Sequence, residues 1–345
     1  MSNGEIVPGS VYLYDPVNWA PPMFTAWFAV ATIAHICQCI KYKAWKVTGL
    51  HPVCGLLFTA GFALRSYGAI HYKDVNVYIA STILIYCAPP ILELANYHVL
   101  GRILYYVPYY SPLHPGRTLT TFGFVSSIVE VLNAIGVAWL ANPNVPRSYI
   151  KRGDVLLKAS LVLQVGVITV FCIIAGIFHA RCIRGGITTR KVRGPLVTLY
   201  LSMMLILLRT VYRIIEHFGT TAIHEHSSPD WDPQTLSPVL RYEWFFWVFE
   251  ASPMLVNSIL WNYRHPRHYL PEDYHVYVAQ NGRNELQGPG WKDDMPWWMT
   301  FIDPCGLTAS LAGSKRKEKP FWESNGYQAI DLEEGGGNDA SQSAS

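Results

Sequence analysis

The chain has 345 residues, of which 50% are hydrophobic and 15% are charged, and its net charge is +3. An average soluble domain carries about 25% charged residues, so this chain is short of the side chains that cover a water-exposed surface. Its apolar residues fall into long runs, and a helix that crosses a bilayer needs about 20 of them. The composition predicts an integral membrane protein and disfavours a nucleic-acid-binding protein, which would need a basic surface.

Seven apolar runs are long enough to cross a membrane, so the predicted fold class is an all-α membrane protein with a seven-transmembrane-helix bundle. These predicted spans lie at residues 20–40, 53–70, 78–98, 119–140, 155–179, 195–218 and 241–261. The third span contains Pro89 and Pro90. We expect a kink at this pair, because each proline removes a donor from the helical hydrogen-bond ladder.

The distribution of Lys and Arg predicts the orientation. The connections that follow spans one, three, five and seven hold twelve such residues, whereas the opposite side holds four. Because positive charge favours the cytosolic side, residues 1–19 are predicted to be extracytoplasmic, 20–261 to form the transmembrane domain, and 262–345 to form a cytosolic tail. The polar, Pro- and Gly-containing composition of this tail predicts that it is largely disordered.

Several activities are disfavoured by missing motifs. The chain has no G-x-x-x-x-G-K-[ST] loop, so we expect no ATP-binding site on it. A zinc-dependent membrane hydrolase would need inward His or Asp residues at a shared depth, and the intramembrane histidines are scattered over different spans. His224, His226, Asp230 and Asp232 could bind a metal in the last outer loop, but a solvated acidic loop is the better interpretation. We therefore expect neither enzyme activity nor a cofactor.

Ionisable residues within a bilayer are costly, so each one suggests a function. The sixth span carries four polar residues at i, i+3, i+4 and i+7, a spacing that places them on one helical stripe: Arg209, Tyr212, Arg213 and Glu216. The seventh span has a matching stripe at seven-residue steps: Glu243, Glu250 and Asn257. The two stripes predict a polar contact between these spans.

The depth of each residue indicates the pairing. Arg209 and Glu250 each lie nine residues from the outer end of their spans, which at ~1.5 Å per residue is ~13–14 Å below the outer boundary. We therefore predict that Arg209 pairs with Glu250, and that Arg213 lies nearer the outer surface, within reach of Glu216 or Glu243. Arg65 and Lys158 lie near span ends, and we expect them to extend towards the lipid headgroups.

Further polar residues reach similar depths: Glu130, Asn133 and Gln164. Glu93 and Asn96 lie deeper towards the cytosol, and all five could line a cavity within the bundle. Two interpretations of the Arg209–Glu250 pair remain open. It could hold the helices in register, as buried opposite charges often do, or it could bind and respond to substrate. The sequence assigns no partner to Glu130 or Glu93, which favours a functional role for both.

Residues 205–216, with sequence LILLRTVYRIIE, resemble the strongest motif of the fungal RTA-like family, the lipid-translocating exporters. The same resemblance extends to other positions: Ala88-Pro89, Tyr97, Gly101-Arg102, Leu163-Gln164, Phe171, Tyr242-Glu243-Trp244, Phe249, Pro253-Met254-Leu255 and His265-Pro266. It covers about residues 12–270. Three positions depart from the family pattern, which usually has Asp at Glu250 and an Asp and a Gln where Ser126 and Asn133 stand here.

The resemblance implies seven helices, an outside N-terminus, and residence in the plasma membrane or endomembranes. It also implies a role in resistance to toxic amphiphiles, release of sphingoid long-chain bases, or porphyrin traffic. The leading hypothesis is therefore an ATP-independent transporter of amphiphilic lipids, or a regulator of that traffic, with membrane lipids or amphiphilic small molecules as its partners. A seven-helix receptor or sensor is the alternative, although the sequence lacks the usual receptor signatures at the ends of spans three and seven.

Overall fold

The computed structural model describes residues 16–71, 74–112, 115–141, 146–225, 238–273, 275–279, 282, 284–287 and 328–329. Helices dominate this part of the chain: α1 Ala20–Lys41, α2 Trp45–Thr48, α3 Leu50–Ile70, α4 Val75–Tyr106, α5 Pro115–Ala141, α6 Arg147–Arg184, α7 Arg190–Glu225, α8 Pro238–Arg241, α9 Trp244–Phe246 and α10 Ser252–Tyr263. Six of the described helices, α1 and α3 to α7, are long and apolar enough to cross a membrane. They correspond to the first six predicted spans.

Several helices extend well beyond the predicted spans. The α4 helix has 32 residues, and the Asp74 carboxylate caps its start by accepting hydrogen bonds from the backbone N–H groups of Asn76 and Val77. The same helix continues from Val75 to Tyr106 through Pro89 and Pro90. The proline pair therefore does not end this helix.

The region predicted as the seventh span is helical but divided into consecutive pieces. Between α9 and α10 the backbone widens into a π-helix over Trp247–Ala251. Pro253 lies in the first turn of α10, and its ring would clash with the carbonyl four residues earlier in a regular α-helix. The wider turn accommodates the proline, and α10 by itself has only 12 residues.

Aromatic stacking joins α1, α3 and the π-helix. The Phe28 and Phe58 rings lie 4.6 Å apart, and the Phe24 and Trp247 rings lie 5.1 Å apart. Phe62 stacks on both Phe24 and Phe28. This cluster brings the π-helix against the first two long helices.

The outward faces of the long helices carry large apolar side chains. Ile33 is 60% exposed and Met204 is 71% exposed, and many other aliphatic residues along these helices are exposed as well. A soluble monomer rarely exposes so much contiguous apolar surface. A hydrocarbon environment accounts for it, because the helices satisfy their own backbone hydrogen bonds.

Part of the predicted tail forms a small antiparallel sheet, so the described chain is not purely helical. Strand β1, Val276–Val278, pairs with β2, Glu285–Gln287, with Tyr277 opposite Leu286. A third strand, β3 Gln328–Ala329, pairs with β2. Most of the remaining tail, 288–345, lies outside the described residues.

The sheet contacts the helical bundle through Glu285. Its Oε1 accepts hydrogen bonds from Tyr106 Oη at 2.6 Å and from Lys191 Nζ at 2.8 Å. Burial opposes ionisation of Glu285, but these two donors outweigh burial and lower its pKa. The start of the tail therefore contacts the end of α4 and the start of α7.

Candidate functional site

The predicted pair of Arg209 and Glu250 is present at the contact between α7 and the π-helix. Arg209 Nε donates to both carboxylate oxygens of Glu250, each at 3.0 Å. Arg209 is 1% exposed and Glu250 is 0% exposed. A fully buried charge is stable only when it is paired and hydrogen-bonded, so each residue requires the other.

Arg213 shares the same carboxylate. Its Nε donates to Glu250 Oε2 at 2.7 Å, and its Nη1 donates to Glu216 Oε2 at 2.6 Å and to Tyr86 Oη at 2.5 Å. The expected contact with Glu216 is therefore present, whereas Arg213 is buried and contacts Glu250 in place of Glu243. We call Arg209, Arg213, Glu216 and Glu250 the ionic cluster.

Tyr212 contacts this cluster through Glu216. Its hydroxyl donates to Glu216 Oε1 at 3.3 Å, and its ring stacks on Phe249 at 6.2 Å. All four residues of the predicted stripe on the sixth span are thus near one another. Their role in substrate binding stays a prediction.

Glu243 belongs to a second ion pair. Its Oε1 accepts a hydrogen bond from Arg65 Nη2 at 3.0 Å, and its Oε2 accepts one from the Val17 backbone N–H at 2.7 Å. The expectation that Arg65 extends to the headgroups is wrong, because Arg65 is buried and its guanidinium stacks 4.2 Å from the Phe246 ring centre. Lys158 pairs with Asp154 at 2.8 Å.

A partly open cavity reaches the ionic cluster. Its volume is about 100 Å³, and the residues that line it include Arg65, Tyr86, Arg213, Glu216 and Phe246. Of the two carboxylates in the ionic cluster, Glu216 lines the cavity and Glu250 does not. The cavity has space for a small polar group and not for a long hydrocarbon chain.

Sequence reasoning missed the contribution of α4 to this site. Tyr78, Thr82 and Tyr86 all line the cavity and follow one another at four-residue spacing. That spacing places them on one face of α4, and it is the signal that could have found them.

Glu93 lies deep in the bundle and has neutral partners. It is 1% exposed, and it accepts hydrogen bonds from Gln164 Nε2 at 2.6 Å and from Tyr97 Oη at 3.2 Å. The sequence had assigned it no partner. Among the described residues, none of its hydrogen bonds comes from a cation.

Glu130 and Glu93 line the same narrow crevice, together with Gln164 and Ser126. Glu130 Oε2 is buried without a hydrogen-bond partner among the described residues, and so is Asn133 Oδ1. The structure therefore brings three of the predicted polar residues together here and leaves Asn133 outside the crevice wall.

A neutral polar junction on Ser202 joins α4, α7 and α10. Ser202 Oγ accepts hydrogen bonds from Asn96 Nδ2 at 2.8 Å and from Trp261 Nε1 at 3.0 Å, and Asn257 Nδ2 donates to the Ser202 carbonyl at 3.3 Å. The sequence singled out Asn96 and Asn257 but not Ser202. These bonds hold α4, α7 and α10 together at Ser202, which precedes Arg209 of the ionic cluster along α7.

The sequence also raised the possibility of a metal site in the last outer loop. No group of three His, Cys, Asp or Glu residues in that part could hold a metal ion. The side chains of the predicted outer loop, His224, His226, Asp230 and Asp232, lie outside the described residues. Six cysteines in the described ranges are free thiols: Cys37, Cys39, Cys54, Cys87, Cys172 and Cys182.

Three fungal proteins show the similarity of this chain to known proteins. A lipid-translocating exporter-like protein RTA1 from Leptosphaeria maculans is 46% identical over 293 residues, which cover 82% of this chain and 56% of that relative. A protein of the same name from Ajellomyces capsulatus is 28% identical, with 80% of this chain and 86% of the relative covered. A probable lipid transporter, atnI, from Emericella nidulans is 26% identical, with coverages of 78% and 71%.

The chain thus spans little more than half the length of the Leptosphaeria relative. No solved structure shows significant similarity to it. The family model described as RTA1 like protein matches residues 52–273, a range that includes the ionic cluster and the Arg65–Glu243 pair. This multi-pass membrane protein therefore belongs to the RTA1-like family.

Proposed function

We propose that the chain moves amphiphilic lipids, such as sphingoid long-chain bases, across a plasma membrane or endomembrane without using ATP. The observation that carries the proposal is the cavity that leads from the bundle surface to the ionic cluster. The names of the fungal relatives support lipid as the class of substrate.

The size and polarity of the cavity suit a headgroup. A volume of about 100 Å³ admits an ammonium group with its neighbouring atoms, while the hydrocarbon chain stays against the exposed apolar faces of the helices. Glu216 is the carboxylate that a substrate amine would bind, because it lines the cavity and is only partly buried. Glu250 and Glu243 lie behind it, each already paired with arginine.

Binding at Glu216 would be coupled to helix movement through Arg213. This guanidinium bridges Glu216 and Glu250, so an amine on Glu216 competes for one of its two carboxylates. Weakening the Arg213–Glu216 ion pair changes the interaction of Arg213 with Glu250, and so the attraction between α7 and the π-helix. A π-helix is a frequent site of functional distortion in helices, since its hydrogen bonds are less regular.

The proposed topology has seven spans, with the N-terminus outside and the C-terminus in the cytosol. Residues 244–263 are continuously helical across α9, the π-helix and α10. At ~1.5 Å per residue their length approaches ~30 Å, which is enough to cross the hydrocarbon core. The distribution of Lys and Arg supports the stated orientation.

The test is translocation of a labelled sphingoid base by purified protein in liposomes without nucleotide. We expect Glu216→Gln to slow translocation at least about tenfold, since loss of one charge-assisted contact is worth about 1.5–3 kcal/mol. Asp154→Asn is the matched control, because Asp154 is a similarly exposed carboxylate paired with Lys158 on α6 and does not line the cavity.

Two outcomes would contradict the proposal. If wild-type protein does not exceed protein-free liposomes, the chain is not a transporter of this substrate. In that case ligand-dependent signalling would favour the receptor alternative, and altered export by a second protein would favour a regulator. If Glu216→Gln and Asp154→Asn slow translocation equally, the cavity is not the binding site.

A further inference from the structure

A basic cleft lies at the opposite end of the bundle from the cavity. It is formed by the α1–α2 connection, the end of α4 and the start of the tail. Four cationic residues and one carboxylate line it: Lys43, Lys46, Arg102, Arg267 and Glu272. The excess of positive charge predicts an anionic ligand.

Two of the cations, Arg102 and Arg267, are held in place by residues 271–273. Arg102 is 4% exposed, and its Nη2 donates to the backbone carbonyls of Pro271 at 3.3 Å and Asp273 at 2.7 Å. These carbonyls orient the guanidinium. Arg267 pairs at 2.8 Å with Glu272, whose side chain is 69% exposed, so solvent weakens this one ion pair.

Lys43 and Lys46 contribute exposed ammonium groups to the same cleft, and neither forms an ion pair among the described residues. Lys43 has a φ of +47°, a backbone conformation that residues other than glycine adopt uncommonly. Backbone hydrogen bonds from Lys43 N to Ile40 O and from Ala44 N to Cys39 O hold this turn. Such strain is often found at functional sites.

The surroundings of the cleft suit a ligand that is also apolar. Val47, Leu270 and Pro266 line it beside the cations. Next to it, Ile40 is 63% exposed and Trp45 is 51% exposed. Tryptophan is enriched where a membrane meets water, so the cleft lies at the level of lipid headgroups.

We propose that this cleft binds the phosphate group of an anionic lipid. Basic pockets between membrane helices on the cytosolic side are suited to such headgroups. The site is separate from the cavity and does not depend on the proposed transport function. Because Arg102 and Arg267 contact the start of the tail, bound lipid would also stabilise the docked tail segment.

The test measures binding of lipids to the purified, delipidated full chain by native mass spectrometry. We expect phosphatidic acid to bind at least about tenfold more tightly than phosphatidylcholine. The double variant Lys43→Asn with Lys46→Gln should weaken phosphatidic acid binding about 10–30-fold, because each surface cation contributes on the order of a tenfold effect or less. Asparagine is chosen at position 43 because it tolerates a positive φ.

Arg184→Gln is the matched control, since Arg184 is an exposed cation at the same end of the bundle and does not line the cleft; it should bind phosphatidic acid as wild type does. Equal affinity of wild type for the two lipids would overturn the proposal, and so would unchanged binding by the double variant. Inorganic phosphate is the third ligand to be measured. If phosphate saturates the cleft and phosphatidic acid does not bind, a lipid is not the ligand.

Discussion

At the scale of single residues, Glu250 is the centre of the charge arrangement, because one carboxylate accepts hydrogen bonds from two arginines. Neutralising it would leave the buried Arg209 and Arg213 without their shared counter-charge. Breaking a buried pair in this way costs about 3–5 kcal/mol. We therefore expect Glu250→Gln to lower the unfolding temperature of the detergent-purified protein markedly, as measured by thermal unfolding.

Glu250→Asp keeps the charge and should retain most of the stability. Glu272→Gln removes a carboxylate that is largely exposed, so its effect should be small. A Glu250→Gln protein that unfolds at the wild-type temperature would show that the two arginines find other partners. It would also mean that Glu250 does not hold the helices together.

The Arg209–Glu250 contact could be predicted from sequence, because both residues lie at the same depth on antiparallel spans and neither can reach water. Arg65 could not be predicted in the same way. Its position near a span end is equally suited to a headgroup contact, and only the packing of Glu243 against α3 selects the buried ion pair. Tyr86 was missed because its four-residue spacing from Thr82 and Tyr78 is a signal only when the three residues are considered together.

At the scale of elements, two glycines set the distance between α5 and α6. A Cβ at Gly136 would lie 2.9 Å from the Gly153 carbonyl oxygen, and one at Gly153 would lie 3.0 Å from the Gly136 oxygen. Both contacts are to backbone, which cannot move aside without separating the helices. Small residues allow this close approach in membranes.

Gly136→Ala should therefore destabilise the protein by about 1–3 kcal/mol, as overpacking does. Thermal unfolding in detergent measures the effect. Gly166→Ala on α6 is the matched control, since nothing lies within 4 Å of a Cβ there; it should leave stability unchanged or raise it. Equal unfolding temperatures for the two variants would contradict the proposed glycine contact.

Six long helices followed from hydropathy, because every one of them needs a run of apolar residues to face lipid. The division of the last helical region did not, since widening of the backbone over Trp247–Ala251 has no counterpart in residue propensity. Pro253 was the available signal. The sheet was missed because its strands are only three residues long or shorter and lie in a tail whose overall composition is polar.

At the scale of the whole molecule, the two candidate sites lie at opposite ends of the bundle. The cavity at one end is lined by Arg65, Arg213 and Glu216, and these arginines also pair with Glu243 and Glu250. The basic cleft at the other end has four cations and one carboxylate. The Ser202 junction lies between them. A substrate amine and an anionic lipid could therefore bind at the same time without competing.

Whether the chain has six spans or seven can be tested by glycosylation. One N-x-[ST] sequon at a time is placed in the chain, which has none of its own. Seven spans put the two termini on opposite sides, so a sequon within residues 1–15 should be glycosylated in cells and one within residues 330–345 should not. Six spans would put both termini on the same side, and the two sequons would then behave alike. A sequon cassette inserted at Gly185, between α6 and α7, is the control: it should stay unmodified because its neighbours are rich in arginine. Modification of the tail alone would reverse the proposed orientation.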